Sequence, residues 1–190
     1  MADAALLIID MLNRFDFDDA RPLVEAAHRA TDAVAALRDQ AHAADVPVIY
    51  VNDNYGQWQS TPDRLIEQLI GDNPTGGEIA RRLAPAEQDY FVIKPEFSGF
   101  YATNLPAILP RLGVTRLILT GVAAEVCVLF TAADAHMREY DLWVPADAVA
   151  GVSADRTNWA IEIMRDTLSA EFAPTRELSL AEWMRADRKD

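Results

Sequence analysis

The sequence predicts a three-layer α/β/α fold around a mainly parallel sheet of five to six strands. Two observations carry this expectation. Short, almost continuously apolar runs such as AALLIID (4–10) and VPVIYV (46–51) have the character of strands buried on both faces. Longer segments between such runs place apolar residues at three- and four-residue steps, the helical period. Strands alternating with helices imply right-handed β-α-β crossovers and a parallel sheet covered on both sides.

Each element follows in order. The first strand, 4–10, ends in a carboxylate, Asp10. Residues 21–44 form an amphipathic helix, with Leu23, Ala27, Ala30, Val34 and Leu37 on one face. The second strand, 46–51, tolerates Pro47 near its start. Residues 52–74 are polar, aromatic and turn-rich, an insertion with a helix over 63–70. A third strand over 89–93 leads directly into Lys94, and a short helix over 105–112 stops at Gly113. The fourth strand, 116–120, passes through Gly121 into a helix reaching about Tyr140. A fifth strand over 141–145, a helix over 153–168 capped by Ser153 or Asp155, an edge strand over 171–174 and a helix over 180–188 complete the chain. No repeat, linker or low-complexity tract interrupts the pattern, so 1–190 reads as one Rossmann-like domain of ordinary size.

Composition limits the partners. Lys and Arg number 17 against 30 Asp and Glu, a formal charge of −13. Such a field repels phosphate backbones and anionic lipid surfaces, so neither nucleic acid nor membrane is expected as a partner. A small-molecule substrate remains. The single cysteine cannot form an internal disulfide. The N-terminus has no positive flank of a signal peptide, and no run reaches the length of a membrane span, so a cytoplasmic protein is expected.

Ligands of open α/β sheets bind beyond the carboxyl ends of the strands. Three chemically able residues fall there: Asp10 ends strand one, Lys94 ends strand three, and Cys127 lies in the first turn after strand four. Taken singly, Asp10 could cap a turn, Lys94 could be a solvated lysine, and Cys127 could be a small buried hydrophobe. Asp134 and Asp147 fit structural roles better, the first further along the helix and the second tying down a loop.

The segments LLIIDMLNRF, VIKPEFSGFYATNL and GVAAEVCVLFTAADAHMREYDLWVPADAVA resemble the three signature regions of isochorismatase-like cysteine hydrolases, in order and spacing, from Ala5 to about Ala150. The resemblance implies a catalytic triad of Asp10, Lys94 and Cys127, with Ser98 and Phe100 also at family positions. It implies an oxyanion site made by the backbone amides of Ala123 and Cys127, with a cis peptide between Val122 and Ala123. It also implies a homo-oligomer, dimer or tetramer, in which neighbouring copies complete pockets. The implied activity is hydrolysis of a small amide or ureido C–N bond through a thioester. In that chemistry a helix N-terminus and Lys94 favour the thiolate, and Asp10 serves as the base.

Some positions depart from the family pattern: Leu12 replaces Gln, Arg14 replaces Asp, and Ala124 replaces a Thr whose hydroxyl would cap the turn before the cysteine. Nicotinamidases, which this chain resembles, carry a metal site of Asp and several His after strand two. Here Asp53 has no histidine beside it, and His28, His42 and His136 lie on predicted helices, so neither metal nor other cofactor is expected. True isochorismatases lack the nucleophilic cysteine, which makes vinyl ether cleavage the lesser alternative, beside a non-catalytic member of the fold. Among the aromatics flanking the strand ends, Phe15, Trp58 and Tyr101 are the expected pocket walls.

Overall fold

The computed structural model describes residues 3–56, 59, 61–71 and 73–186. Its sheet has the order β3-β2-β1-β4-β5, all parallel, from β1 (Ala4–Ile9), β2 (Val48–Asp53), β3 (Tyr90–Lys94), β4 (Arg116–Val122) and β5 (Asp141–Trp143). A two-residue strand, β6 (Val149–Ala150), pairs with Gly121 and Val122 at the carboxyl end of β4. The chain winds outward from β1 through β2 to β3, then returns to the other side of β1 as β4. The order therefore switches between β1 and β4, where α/β sheets open a crevice.

Strand β1 shows how a fully apolar run serves two cores. Ala4, Leu6 and Ile8 point to one face and Ala5, Leu7 and Ile9 to the other, as the two-residue period of a strand demands. On the first face pack α1 (Arg21–Ala43), α2 (Pro62–Ile70), α3 (Gly77–Arg82) and α7 (Leu180–Arg185). On the second pack α4 (Leu105–Arg111), α5 (Leu129–His136) and α6 (Ala154–Leu168). The stripe Leu23, Ala27, Ala30, Val34 and Leu37 of α1 is buried as its periodicity requires. The three-layer expectation thus holds.

Several local expectations do not. β2 starts at Val48, after Pro47, whose missing N–H cannot enter the ladder, and it runs on to Asp53. β5 stops at Trp143, and the strand expected over 171–174 shrinks to a single bridge between Trp143 and Glu171. Helix α3 was not expected, because Gly76 and Gly77 obscure its start. The helix expected directly after β4 opens as a π turn, Ala124–Val128, before α5 begins. Helix α7 ends at Arg185, short of the expected 188, and residues 187 and 188 lie outside the described ones.

Gly121 makes the junction of β1 and β4 possible. Its φ is +110°, and a Cβ there would run into the Ile9 carbonyl oxygen. Only glycine allows β4 to approach the end of β1 this closely. The next residues, Val122 and Ala123, are joined by a cis peptide, as expected.

Candidate active site

Asp10, Lys94 and Cys127, separated in sequence by 84 and 33 positions, meet at the carboxyl edge of the sheet. Lys94 Nζ lies 2.8 Å from Asp10 Oδ2 and 3.3 Å from Cys127 Sγ. The parallel register explains the meeting: Ile9 is level with Val51 and Gly121, and Asp53 is level with Lys94. The strand ends therefore finish within about two residues of one another along the sheet, and the turn after β4 carries the cysteine to them.

The cluster is held from behind. Asp10 Oδ1 accepts the Asp53 amide at 2.8 Å, and Lys94 also donates to the Glu96 carbonyl at 3.1 Å. Asn52 and the Tyr55 hydroxyl both donate to the Leu12 carbonyl, tying the chain after β2 to the chain after β1. Lys94 is fully buried and Asp10 nearly so, whereas Cys127 is only partly covered.

The electrostatics correct one expectation. Burial pushes the Cys127 thiol up to about 12, and the Asp10 carboxylate adds to the rise, while Lys94 opposes it. A helix N-terminus and a lysine do not leave a free thiolate here. Asp10 is raised above the usual carboxylate range by burial, against the lowering influence of Lys94 and of a hydrogen bond from Cys127. Lys94 is raised: burial opposes its charge, but Asp10 and Cys127 outweigh it. The three groups form one coupled set: the raised Lys94 ammonium stands between a carboxyl and a thiol that burial has each pushed up.

Further polar residues surround the cluster, among them Asp53, which the sequence had not placed in the site. Asp53 Oδ2 stands 3.8 Å from Lys94 Nζ and is partly exposed, a second carboxylate beside the cluster. The strand-end rule that pointed to Asp10 applies equally to Asp53, once β2 is seen to reach it. The loop after Lys94 is pinned to α5: Ser98 Oγ donates to Asp134 Oδ2 at 2.5 Å, and the Gly99 amide donates to Thr131 Oγ1 at 3.0 Å. Asp134 thus has a structural part, and so does Asp147, which accepts from the amide and hydroxyl of Thr175.

Of the aromatics expected as pocket walls, Phe15 and Tyr101 fall among the described residues. Phe15 is buried in the α1-side core, with a Gly76 Cβ position against its ring. Tyr101 is 61% exposed on the rim of a groove of about 320 Å³ shared with Phe97, Ser98 and Phe130. Trp58 lies outside the described residues. His28 and His42 are on α1 and His136 ends α5, as expected. Among the described residues, no group of three or more His, Cys, Asp and Glu is arranged to hold a metal ion.

Residues 4–177 match the isochorismatase domain family. This chain belongs to the isochorismatase family. The isochorismatase family protein YaaI of Bacillus subtilis (strain 168) is 38% identical over 177 residues, covering 93% of this chain and 97% of that protein. Enterobactin synthase component B of Escherichia coli (strain K12) is 33% identical over 159 residues, covering 80% of this chain but 54% of that protein. This chain therefore spans about half the length of that relative. Among solved structures, N-carbamoylsarcosine amidase from Thermoplasma acidophilum superposes with a TM-score of 0.70 at 28% identity, covering 93% of this chain and 99% of that one. An isochorismatase-family fold and a family of hydrolases are thus shown by sequence and structure together.

Proposed function

We propose that this chain hydrolyses a C–N bond in a small amide or carbamoyl compound through a covalent thioester on Cys127, with Asp10 as the base and Lys94 as the electrostatic pivot. One observation carries the reading: the Lys94 ammonium stands within ion-pair reach of both Asp10 and Cys127. Moving a proton from the thiol to Asp10 converts carboxylate and thiol into carboxylic acid and thiolate. The negative charge shifts from one neighbour of Lys94 to the other, and the net charge of the buried cluster does not change. A thiol pushed up to about 12 can therefore serve as a nucleophile without standing ionised in the free enzyme.

The steps balance. Cys127 Sγ gives its proton to Asp10 and bonds to the substrate carbonyl carbon, whose oxygen takes the negative charge. The amides of Ala123 and Cys127, at the opening of the turn after β4, are the proposed donors to that oxygen. As the intermediate collapses, the C–N bond breaks and Asp10 returns its proton to the leaving nitrogen, freeing ammonia or an amine. Water then attacks the thioester, with Asp10 accepting a proton from it. The acid product leaves and Cys127 is regenerated as a thiol. The partly exposed Asp53 carboxylate beside Lys94 suits a substrate that presents N–H donors more than one that presents a carboxylate there. The likeness to N-carbamoylsarcosine amidase supports the ureido side of this substrate class.

The test is a screen of small amides and N-carbamoyl amines for ammonia release, run beside Cys127→Ala. Turnover of at least one compound, abolished in Cys127→Ala with the fold intact, is expected. Full activity in Cys127→Ala would remove the covalent mechanism.

A further inference from the structure

Glu125 lies two residues before Cys127, in the π turn that carries the cysteine. Its side chain is buried, and Oε1 accepts the Val152 amide at 3.1 Å. The other oxygen, Oε2, is buried without a hydrogen-bond partner among the described residues. An unpaired buried carboxylate oxygen is costly, and an apolar side chain would fill the space more cheaply. The space itself is peculiar. A Cβ at Gly151 would collide with Glu125 Oε2 and would come within 2.6 Å of Thr157 Oγ1. The carboxylate is thus seated directly on the glycine that follows β6, and β6 is paired with the end of β4 that launches the turn. The turn is closed from both ends: by the strand behind it and by Glu125 reaching across to Gly151 and Val152.

We propose that Glu125, seated on Gly151 and bonded to the Val152 amide, is a positioning residue that fixes the turn so that the Cys127 sulfur stays beside Asp10 and Lys94. Its catalytic meaning rests on Cys127 being the nucleophile, but its placement of the sulfur can be read without any substrate. A methyl group at 151 would meet Glu125 Oε2 and Thr157 Oγ1, so in this proposal it displaces the carboxylate and with it the turn.

The experiment measures the rate of Cys127 alkylation by iodoacetamide against pH, in a Thr157→Ala background that removes the second obstacle to a methyl at 151. Four forms are compared: the background itself, Glu125→Ala, Gly151→Ala, and both together. Releasing the turn uncovers the thiol and draws it from Asp10, the two influences that raise it, so its midpoint should fall from about 12 toward the ordinary 9.0. Each unit of fall gives about tenfold more thiolate at pH 8, and the lower nucleophilicity leaves a net gain of about threefold. Glu125→Ala and Gly151→Ala should each speed alkylation at pH 8 by at least about threefold, and the double variant should match either single one. Glu125→Gln keeps the Val152 bond and the bulk, and should leave the pH profile close to that of the background. An unchanged profile in folded Gly151→Ala, or additive effects in the double variant, would overturn the proposal. If Glu125→Ala fails to fold, Gly151→Ala and Glu125→Gln decide the matter alone. Activity retained by Cys127→Ala would defeat the proposed function and leave this result standing.

Discussion

At the residue scale the chemistry depends on which neighbour sets the thiol. Burial and Asp10 raise Cys127, and Lys94 lowers it, so the two neighbours should give opposite effects when removed. In Asp10→Asn the thiol loses a negative neighbour, and alkylation by iodoacetamide at pH 8 should become several-fold faster. Turnover of amides in that variant should nevertheless fall by roughly 10²–10⁴, because the general base is gone. Lys94→Gln should move alkylation the other way, to slower rates. If both substitutions shift the thiol in the same direction, the assigned roles are wrong. The acid limb of the activity profile follows from the same cluster. Asp10 must be ionised to accept the thiol proton, and burial holds its pKa above the usual 3.8. As pH falls through that raised value, the carboxylate takes up a proton and activity should be lost, at a higher pH than an exposed aspartate would give. An acid limb for kcat/KM at or below pH 3.8 would contradict that assignment.

At the scale of elements, the strands were legible because a parallel sheet buries both faces, which leaves nearly unbroken apolar runs in the sequence. Asp10, Lys94 and Cys127 were legible because they follow such runs, and the resemblance joined them. What stayed hidden depends on contacts between distant segments. β6 is two residues long and has no period to read. The π turn differs from an α turn only in its backbone hydrogen bonds. The raised thiol comes from the closeness of Asp10 and the covering of Cys127, neither of which has a local sequence signal. Arg116 is another such case, a buried cation at the start of β4. It donates to the carbonyls of Trp183, Met184 and Ala186 and lies over the Trp183 ring, closing the C-terminal end of α7. Arg116→Met keeps most of the stem but orphans those carbonyls, so stability should fall by about 2–4 kcal/mol in urea unfolding. Alkylation of Cys127 should stay unchanged, since the opposite edge of the sheet is affected. A neutral result would mean that α7 is held by its apolar face alone.

At the scale of the whole molecule, two expectations from the sequence become experiments. No metal is needed in the proposed mechanism, because the proton moves between thiol and carboxylate beside a lysine. Treatment with a strong chelator, with metal loss verified by elemental analysis, should leave turnover unchanged. Activity lost and then restored by a stoichiometric divalent ion would overturn the metal-free mechanism. Assembly of copies is the second expectation. Phe97 and Phe130 lie against each other, half exposed, with Tyr101 beside them and Met137 also exposed further along the same helix run. Pairing of chains over these side chains is our proposal, and light scattering should give the mass of a dimer or tetramer. A monomer at micromolar concentration would contradict it.

The central claim is that the substrate carbonyl is bonded to Cys127 during turnover. With a substrate found by ammonia release, the enzyme is mixed, quenched in acid within the first turnovers, digested and weighed by mass spectrometry. The account predicts that the peptide containing Cys127 gains the mass of the substrate's acyl or carbamoyl group, that Asp10→Asn lowers the yield, and that Cys127→Ala shows no adduct and no turnover. Rapid turnover by Cys127→Ala, or an adduct on another residue, would contradict it.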